Sequence, residues 1–234
     1  MTSDVIRLVP PPPPLRGGGR PKSYRTSSGE RVPSVTTILS RFRDSSGLIA
    51  WAMREGMRAE QIRDEAANTG SVVHDMVEEH IHGGKWSSVL RASSLSMEQV
   101  REARLGFISW LRWHDAAPRM YVATEVPLAS DKYRFGGTID AVARDGDSPV
   151  IIDWKTSKRT YIEHVYQAAA YAQLWGEHSG ELPEDVVIVR IPKDGSECVT
   201  SHIGGEALAL ARKQFLRLRM AYDDDAMLRK FVGL

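Results

Sequence analysis

The sequence predicts an α/β domain in which helices flank one central mixed β-sheet. Three observations predict this class: an N-terminal half with apolar residues at helical spacing, three consecutive strand-like segments (119–128, 133–144 and 149–157), and a further alternation of helix and strand after them. The expected order is three helices, three strands, one helix, two strands and a last helix. With 234 residues, 42% of them hydrophobic, the chain can bury the core of one such domain.

The first 22 residues are predicted to be a disordered tail. Five consecutive prolines, Pro10 to Pro14, and the glycine-rich segment after them can neither nucleate a helix nor pair as a central strand. Residues 23–234 are then predicted to form a single domain, with a helical part at about 45–117 and a core at about 118–222. Order is expected to begin near "RVPSVTTIL", where β-branched and apolar residues follow a proline.

Three helices are predicted in the N-terminal half. Residues 48–67 are helix-forming and their apolar members recur at roughly helical spacing. Asn68 is predicted to cap a second helix, "GSVVHDMVEEHI", which the Gly83-Gly84 pair ends. A third helix is predicted over 96–116, before a proline.

The sequence then changes to short β-rich segments. "RMYVATEVPL", "YRFGGTIDAVAR" and "PVIIDWKTS" are joined by "ASDK" and "DGDS", which are turn compositions, so the three segments predict a meander. A helix over 162–178, an apolar strand "DVVIVRIP", a weaker strand around "ECVTSHI" and a helix over 206–221 are expected to follow.

Composition excludes several classes of protein. Thirty-one basic and 30 acidic residues give a formal net charge of +1, so net charge does not indicate nucleic-acid binding. The single cysteine, Cys198, excludes a disulfide framework, a zinc ribbon and a cysteine-ligated iron–sulfur cluster, and fits a reducing compartment. No apolar run approaches the roughly 18 residues needed to span a bilayer, and no secretion signal is recognisable. These observations predict a cytoplasmic protein with no membrane partner.

An acid and a base stand two positions apart at the end of the third strand-like segment. Residues i and i+2 of a strand share a face, so Asp153 and Lys155 are expected to project together while Trp154 points the other way. Taken alone, such a pair is typical of a solvent-facing ion pair. The neighbouring strands change this interpretation, because Asp140 follows "GGTI" on one and Glu125 interrupts an apolar run on the other.

In a three-stranded meander these acids can converge at one point. Three clustered carboxylates would repel one another without a cation, and carboxylate oxygens suit Mg²⁺ or Mn²⁺. A lysine beside such a cation is suited to assist an attacking water in phosphodiester hydrolysis. The sequence therefore predicts a site for one or two divalent cations, with Lys155 beside it.

Here the sequence resembles a known family. "GGTID" followed thirteen positions later by "DWK", with Glu125 upstream, resembles the PD-(D/E)xK nuclease superfamily, whose fold is that of restriction endonucleases. "GSVVHDMVEEH" is similar to the G-x-x-x-H helix of its RecB-like branch, and "QAAAY" to that branch's Q-x-x-x-Y helix. "VPSVTTIL" is similar to phage-type and mitochondrial genome maintenance exonucleases. Members with an iron–sulfur cluster carry four cysteines, so that subgroup is excluded.

The resemblance implies roles for particular residues. It implies that Asp140 and Asp153 bind the metal, with the main-chain carbonyl of Trp154 as a further ligand and His74 as a ligand from the helix. Glu125 would bind a metal or its water, and Lys155 would activate the attacking water or stabilise the phosphorus centre.

The helices raise two further questions. His74, Glu78 and His82 lie four apart on one helix face, so a zinc site and an ordinary amphipathic helix are both alternatives, although the spacing matches no standard zinc ligand frame. Beside the strand cluster, His74 is expected to be a ligand. Gln167 and Tyr171 also share a helix face and are expected near the substrate.

Lys158 and Arg159 adjoin the proposed site and are expected to contact the DNA backbone. The expected function is a metal-dependent DNA exonuclease acting on ends of single-stranded or duplex DNA, because of the resemblance and because no separate sequence-reading module is recognisable. A structure-specific endonuclease for flaps or branches stays open, as does a DNA-binding module that does not cleave, although the acids and Lys155 that such a module would lose are present.

The expected setting is DNA replication, recombination or repair in a bacterial or phage-infected cell. Replication or recombination proteins as partners, and a homo-oligomer, stay open.

Overall fold

The central sheet of the computed structural model has six strands within the residues that the structure describes, 15–17 and 20–233. Their order across the sheet is β1, β4, β5, β6, β7, β8. The strands are β1 (Leu15–Arg16), β4 (Met120–Ala129), β5 (Gly136–Asp145), β6 (Ser148–Lys155), β7 (Asp185–Arg190) and β8 (Val199–Gly204). A separate hairpin is formed by β2 (Tyr24–Arg25) and β3 (Arg31–Val32).

The sheet is mixed, as predicted. Strands β4, β5 and β6 form the expected antiparallel meander. Strand β7 is parallel to β6, and the chain between them crosses one face of the sheet as a helix, which is the usual connection for parallel neighbours. Strand β8 pairs antiparallel to β7 at one edge, and β1 pairs parallel to β4 at the other.

Helices cover both faces of this sheet. They are α1 (Val35–Phe42), α2 (Ser46–Glu55), α3 (Ala59–Ile81), α4 (Trp86–Ala92), α5 (Met97–Ala116), α6 (Ile162–Ser179) and α7 (Gly205–Val232). On one face α1, α6 and α7 pack over a core that includes Ile151 and Ile188. On the other face α3, α4 and α5 pack over Ile152 and Trp154. Alternate residues of β6 thus enter opposite cores, so this strand is buried on both faces.

The helical half differs from the sequence prediction around Asn68. The predicted cap at Asn68 is wrong, because α3 runs through this residue without a break. The chain turns earlier, at Gly56, whose φ of 60° suits glycine and ends α2. Burial of Thr69 and Gly70 keeps the α3 segment helical, so packing overrides the local preference for a cap. The predicted end of this helix at the Gly83-Gly84 pair agrees with the structure, where α3 ends at Ile81 and Gly83 has a left-handed φ of 72°.

Three further differences concern the extent of helices. "VTTILSRF" forms α1, whose first turn is capped by Ser34 as its side chain accepts a hydrogen bond from the Thr37 N–H at 3.0 Å. The short helix α4 lies in a segment for which no element is predicted. The last helix continues past residue 221 to Val232.

The predicted 22-residue tail is partly within the fold. Residues 1–14, 18 and 19 lie outside the described part of the chain. Leu15 and Arg16 pair with Ala123 and Thr124 of β4, whose outer edge offers backbone groups that a further strand can pair with. The ordered fold therefore begins before residue 23. No helix in the described part of the chain is long and apolar enough to cross a membrane.

Candidate active site

Strands β5 and β6 separate at the two aspartates. Their pairing ends at Ala141 and Ile152, and the next residues along each strand are Asp140 and Asp153. The Asp140 carboxylate replaces the missing strand partner, since its Oδ2 accepts a hydrogen bond from the Trp154 N–H at 2.9 Å. The separation thus creates space for side chains within the sheet layer and fixes one oxygen of Asp140.

Strand β4 is irregular at the same level. Glu125 lies between the paired residues Thr124 and Val126, and its φ of 47° is in the left-handed region, which a non-glycine residue rarely occupies. Such strain persists only where the surrounding structure fixes it, and it is commonly found at functional sites. Because Thr124 pairs with Ala141 and Val126 with Ile139, the strand register places Glu125 opposite Asp140, and their carboxylates lie close together.

Helix α3 adds a histidine to these acids. His74 Nδ1 lies 3.8 Å from Asp140 Oδ2. One ligand atom each from His74, Glu125 and Asp140 lies within 4.8 Å of the other two. The approach of α3 depends on Gly70, because a Cβ atom there would stand 2.5 Å from Thr156 Oγ1, just beyond the end of β6. The glycine four residues before the histidine thus has a packing role in placing it.

Asp153 and Lys155 form a pair next to this group. The Asp153 side chain is 0% exposed, and its Oδ2 lies 2.5 Å from Lys155 Nζ. This contact is a close ion pair, and Oδ1 of the carboxylate lacks a hydrogen-bond partner among the described residues. The predicted sharing of a face by these two residues is present. Asp153 itself lies outside the close group of three.

Burial dominates the electrostatics of the site. Burial, and then the charge of Asp140, raise the pKa of Glu125 from 4.5 to about 8, although Arg20 acts in the opposite direction. Burial raises the pKa of Asp153 to about 6, against the opposing charge of Lys155. Burial lowers the pKa of His74 to about 4, so its imidazole is neutral at pH 7. These directions all reflect charges that a buried site accommodates poorly.

The donor set fits a divalent cation. The Nδ1 atom of His74 is buried without a hydrogen-bond partner among the described residues, although a buried polar atom normally has one. A neutral imidazole nitrogen and two or three carboxylates form a ligand set suited to Mg²⁺ or Mn²⁺. His74, Glu125 and Asp140 are placed to hold such an ion, with Asp153 next to them.

The predicted zinc alternative on α3 does not assemble. The close group of metal-ligand atoms found among the described residues contains His74 but neither Glu78 nor His82. Glu78 instead pairs with Arg16, with 3.3 Å between Oε1 and Nε, and His82 Nε2 lies 2.8 Å from Thr124 Oγ1.

Helix α6 brings Gln167 and Tyr171 to the other side of the site. The Gln167 side-chain amide donates a hydrogen bond to the Tyr171 hydroxyl at 2.8 Å. Tyr171 is buried, and a Cβ on Gly137 would stand 2.5 Å from its ring. The "GG" of "GGTID" therefore admits the tyrosine ring at its second glycine. Gln167 is half-buried and lines the cleft described next, whereas Tyr171 is mainly packed.

A cleft of about 600 Å³ opens onto these groups. Its lining residues are Arg20, Thr36, Gly70, Ser71, His74, Asp75, Glu78, Glu125, Trp154, Lys155, Thr156, Ser157, His164 and Gln167. Lys158 and Arg159 are exposed on the loop after β6 and are absent from this lining. The Arg159 guanidinium lies 5.4 Å from the centre of the Tyr161 ring.

Arg20 is a site residue that the sequence prediction missed. Its Nη2 lies 3.2 Å from Asp140 Oδ1, and its Nε lies 4.0 Å from Glu125 Oε2. The sequence prediction placed it in the disordered tail, and nothing in the surrounding "GGGRPK" distinguishes it from a surface arginine. Arg20 and Asp140 are 120 residues apart in the sequence, so their contact can be recognised only from the fold.

The fold and the site together define a nuclease. Buried acids at the point where two strands of a mixed sheet separate, a lysine two residues after one of them, and a neutral histidine from the flanking helix form a site for metal-dependent phosphodiester hydrolysis. The sequence model of the PD-(D/E)XK nuclease superfamily matches residues 48–230, and the chain belongs to this superfamily. The resemblance found in the sequence is thereby confirmed.

Solved structures with a similar arrangement include nucleases. A candidate exonuclease from Eubacterium rectale is 14% identical with a TM-score of 0.43, and the match covers 65% of this chain and 68% of that one. The alkaline exonuclease LHK-Exo from Laribacter hongkongensis is 12% identical with a TM-score of 0.39, covering 63% and 83%. The structure of LHK-Exo in complex with dAMP is 14% identical with a TM-score of 0.37, and the match covers 72% of this chain and 96% of that one. No curated protein sequence matches the chain.

Proposed function

We propose that this protein is a DNA exonuclease that depends on Mg²⁺ or Mn²⁺. The observation that carries the proposal is the convergence of His74, Glu125 and Asp140 within 4.8 Å of one another, next to the buried Asp153 and Lys155 pair. Membership of the nuclease superfamily supports the same chemistry.

The residues divide the chemistry among them. When bound, a divalent cation neutralises phosphate charge and lowers the pKa of the attacking water. His74, Glu125 and Asp140 hold the cation, and Asp153 supplies a further carboxylate and pairs with Lys155. Lys155 is at the end of β6 and is only 15% exposed, so its ammonium group can hold the water or neutralise the charge that builds on the phosphate.

Substrate contacts are proposed around this centre. Gln167 lines the cleft and presents a neutral amide donor, which Tyr171 positions through their hydrogen bond. Lys158 and Arg159 are exposed beyond the end of β6, where they can contact the DNA backbone without reading sequence. We place the activity in the replication, recombination or repair of DNA in the cytoplasm of a bacterial or phage-infected cell.

Three features favour an exonuclease over an endonuclease. "VPSVTTIL", "GSVVHDMVEEH" and "QAAAY" each resemble segments of the exonuclease-containing RecB-like branch. These segments form α1, part of α3 and part of α6, and residues of all three helices line the one cleft.

The test uses the purified 234-residue protein and four DNA substrates. Linear and covalently closed DNA, single- and double-stranded, are incubated with Mg²⁺, Mn²⁺ or EDTA, and the linear forms are end-labelled at either terminus. We expect metal-dependent loss of linear DNA alone, and the label released first gives the direction of digestion.

Other outcomes would contradict the proposal in different ways. Cutting of closed circles would identify an endonuclease, and cutting of a fifth substrate alone, one with a flap or branch, would identify the structure-specific kind. Binding of DNA with no cutting in either metal would identify a DNA-binding module, and cutting in EDTA would exclude the metal mechanism.

A further inference from the structure

The described part of the N-terminal segment, residues 15–17 and 20–22, lies along the edge of the candidate active site. We call it the N-terminal arm. The backbone N–H of Gly17 donates a hydrogen bond to the Thr124 carbonyl at 2.8 Å, one residue before Glu125. Arg16 pairs with Glu79, with 2.9 Å between Nη2 and Oε2, on the helix that carries His74. The arm thus contacts two elements that build the metal site.

The Arg20 guanidinium of the arm lies where a bound cation would neutralise the acids. Its guanidinium pairs with Asp140 at 3.2 Å and approaches Glu125 at 4.0 Å, and both acids belong to the close group with His74. The exposure of the partners is unequal: the Arg20 side chain is 62% exposed, whereas Asp140 is 1% exposed and Glu125 is 13% exposed. The acids are fixed in the fold, while the arginine reaches them from the solvent side.

A divalent cation and the Arg20 guanidinium would compete for the charge of the same two carboxylates, Glu125 and Asp140. Buried carboxylates that lie close together require a counter-cation, and in the structure Arg20 supplies part of that charge. A divalent cation bound by Glu125 and Asp140 would carry two positive charges to the same place and would repel the guanidinium. Because Arg20 is largely in solvent, it can leave without creating a buried unpaired charge.

We propose that Arg20 is an internal counter-cation of the metal site, which a divalent cation displaces when it binds. This inference rests on the metal site of the proposed function and adds a form of regulation to it. Metal binding and release of the N-terminal arm from the site are then linked, since the described arm is held to β4 by a short contact, the pairing of Leu15 and Arg16 and the Gly17 hydrogen bond. Before metal binds, Arg20 offsets part of the charge of Asp140 and Glu125, and the metal-bound form has a free arm.

The test measures metal binding directly and needs no DNA. Isothermal titration calorimetry with Mn²⁺ is performed on the full chain and on Arg20→Gln, Arg20→Lys, Gly17→Ala and Arg25→Gln. Gly17→Ala keeps the arginine in the sequence but should detach the arm from β4, because a Cβ atom at residue 17 would stand 1.9 Å from the Glu125 carbonyl oxygen. Arg25→Gln removes the same charge from an exposed arginine of the nearby hairpin, whose Nη1 donates to the Gly29 carbonyl.

We expect Arg20→Gln to bind Mn²⁺ about tenfold more tightly than the unmodified protein, which corresponds to about 1.4 kcal/mol. Gly17→Ala should change the affinity in the same direction, while Arg20→Lys and Arg25→Gln should stay within about threefold. In the unmodified protein, Mn²⁺ should also speed hydrogen exchange at the Gly17 amide.

Unchanged or weaker Mn²⁺ affinity in Arg20→Gln would overturn the proposal, as would slower exchange at Gly17 on adding Mn²⁺. If the unmodified protein still binds Mn²⁺ and cleaves DNA in that case, the proposed function stands and only the counter-cation role fails. Absence of Mn²⁺ binding in every variant would overturn both.

Discussion

Replacing Glu125 with glutamine should change the pH dependence of stability in the metal-free protein. An unfolded glutamate titrates near 4.5, whereas burial and the charge of Asp140 raise the pKa of Glu125 in the folded state to about 8. The folded state therefore binds a proton that the unfolded state has lost. The stability contributed by this group is full below pH 4.5 and is lost as the pH rises to about 8.

The size of the effect follows from these two pKa values. Over the whole range the loss is at most about 5 kcal/mol, which is comparable with the total stability of many domains. Between pH 6.5 and 8 Glu125 should account for a fall of about 2 kcal/mol. The histidines with lowered folded pKa values oppose this fall, because their unfolded forms lose protons near pH 6.5, so the Glu125 effect is isolated by comparison with a Glu125 variant; these histidines are His74, His82, His114 and His164.

The measurement is urea unfolding in EDTA at pH 6.5 and pH 8, followed by tryptophan fluorescence. From pH 6.5 to pH 8 the unmodified protein should lose about 2 kcal/mol of stability relative to Glu125→Gln, because the histidine contributions are common to both proteins. Mn²⁺ should then stabilise the unmodified protein more than the variant, since stabilisation by a ligand that binds only the folded state rises with the logarithm of its concentration over its dissociation constant. Glu98→Gln is the control, because Glu98 is 70% exposed and away from the site.

Equal losses in the unmodified protein and in Glu125→Gln between the two pH values would contradict the raised pKa of Glu125 and its effect on stability. Equal Mn²⁺ stabilisation of both proteins would show that Glu125 is not part of the metal site.

Two further predictions concern catalysis and packing. Asp153→Asn and Lys155→Ala should each lower the rate of DNA cleavage by about 10²-fold or more with an unchanged circular dichroism spectrum, and a retained rate above about one-tenth in either would contradict their assignment. Gly137→Ala should lower the unfolding free energy by about 1–3 kcal/mol, because the added methyl group meets the buried ring of Tyr171. Gly47→Ala is the matched control on an open helix surface and should be neutral or stabilising, so equal thermal midpoints for the two glycine variants would contradict the packing argument.

The sheet could be predicted from sequence because its signals are local. Each strand of the meander is a short β-rich segment bounded by turn residues, and the central residues of β6 (150–152) and β7 (186–189) are apolar because both faces of these strands are buried. The boundary between α2 and α3 could not be predicted in the same way. Asn68 favours a cap in isolation, and only the burial of the adjacent Thr69 and Gly70 against the rest of the fold keeps the helix continuous.

Within the site, the acids and the lysine could be predicted because their spacing along strands fixes their face. The geometry that makes them a site could not. The left-handed φ of Glu125 has no signature in "YVATEVPL", and the separation of β5 from β6 at Asp140 depends on where their pairing ends. Arg20 illustrates the same limit, because its role comes from a contact across 120 residues rather than from its neighbours in sequence.

The irregular backbone at this site also explains how the fold keeps several acids close together. In a regular sheet, every backbone group of β5 and β6 would be paired, and no side chain could enter the layer between them. Where the strands separate, the Trp154 N–H has no partner on β5 and donates a hydrogen bond to the Asp140 carboxylate instead. This hydrogen bond fixes one of the acids in the site. The remaining charge is offset in part by Arg20 and Lys155. Under the proposed function a divalent cation would relieve the repulsion among these acids, so its binding should raise the stability of the fold.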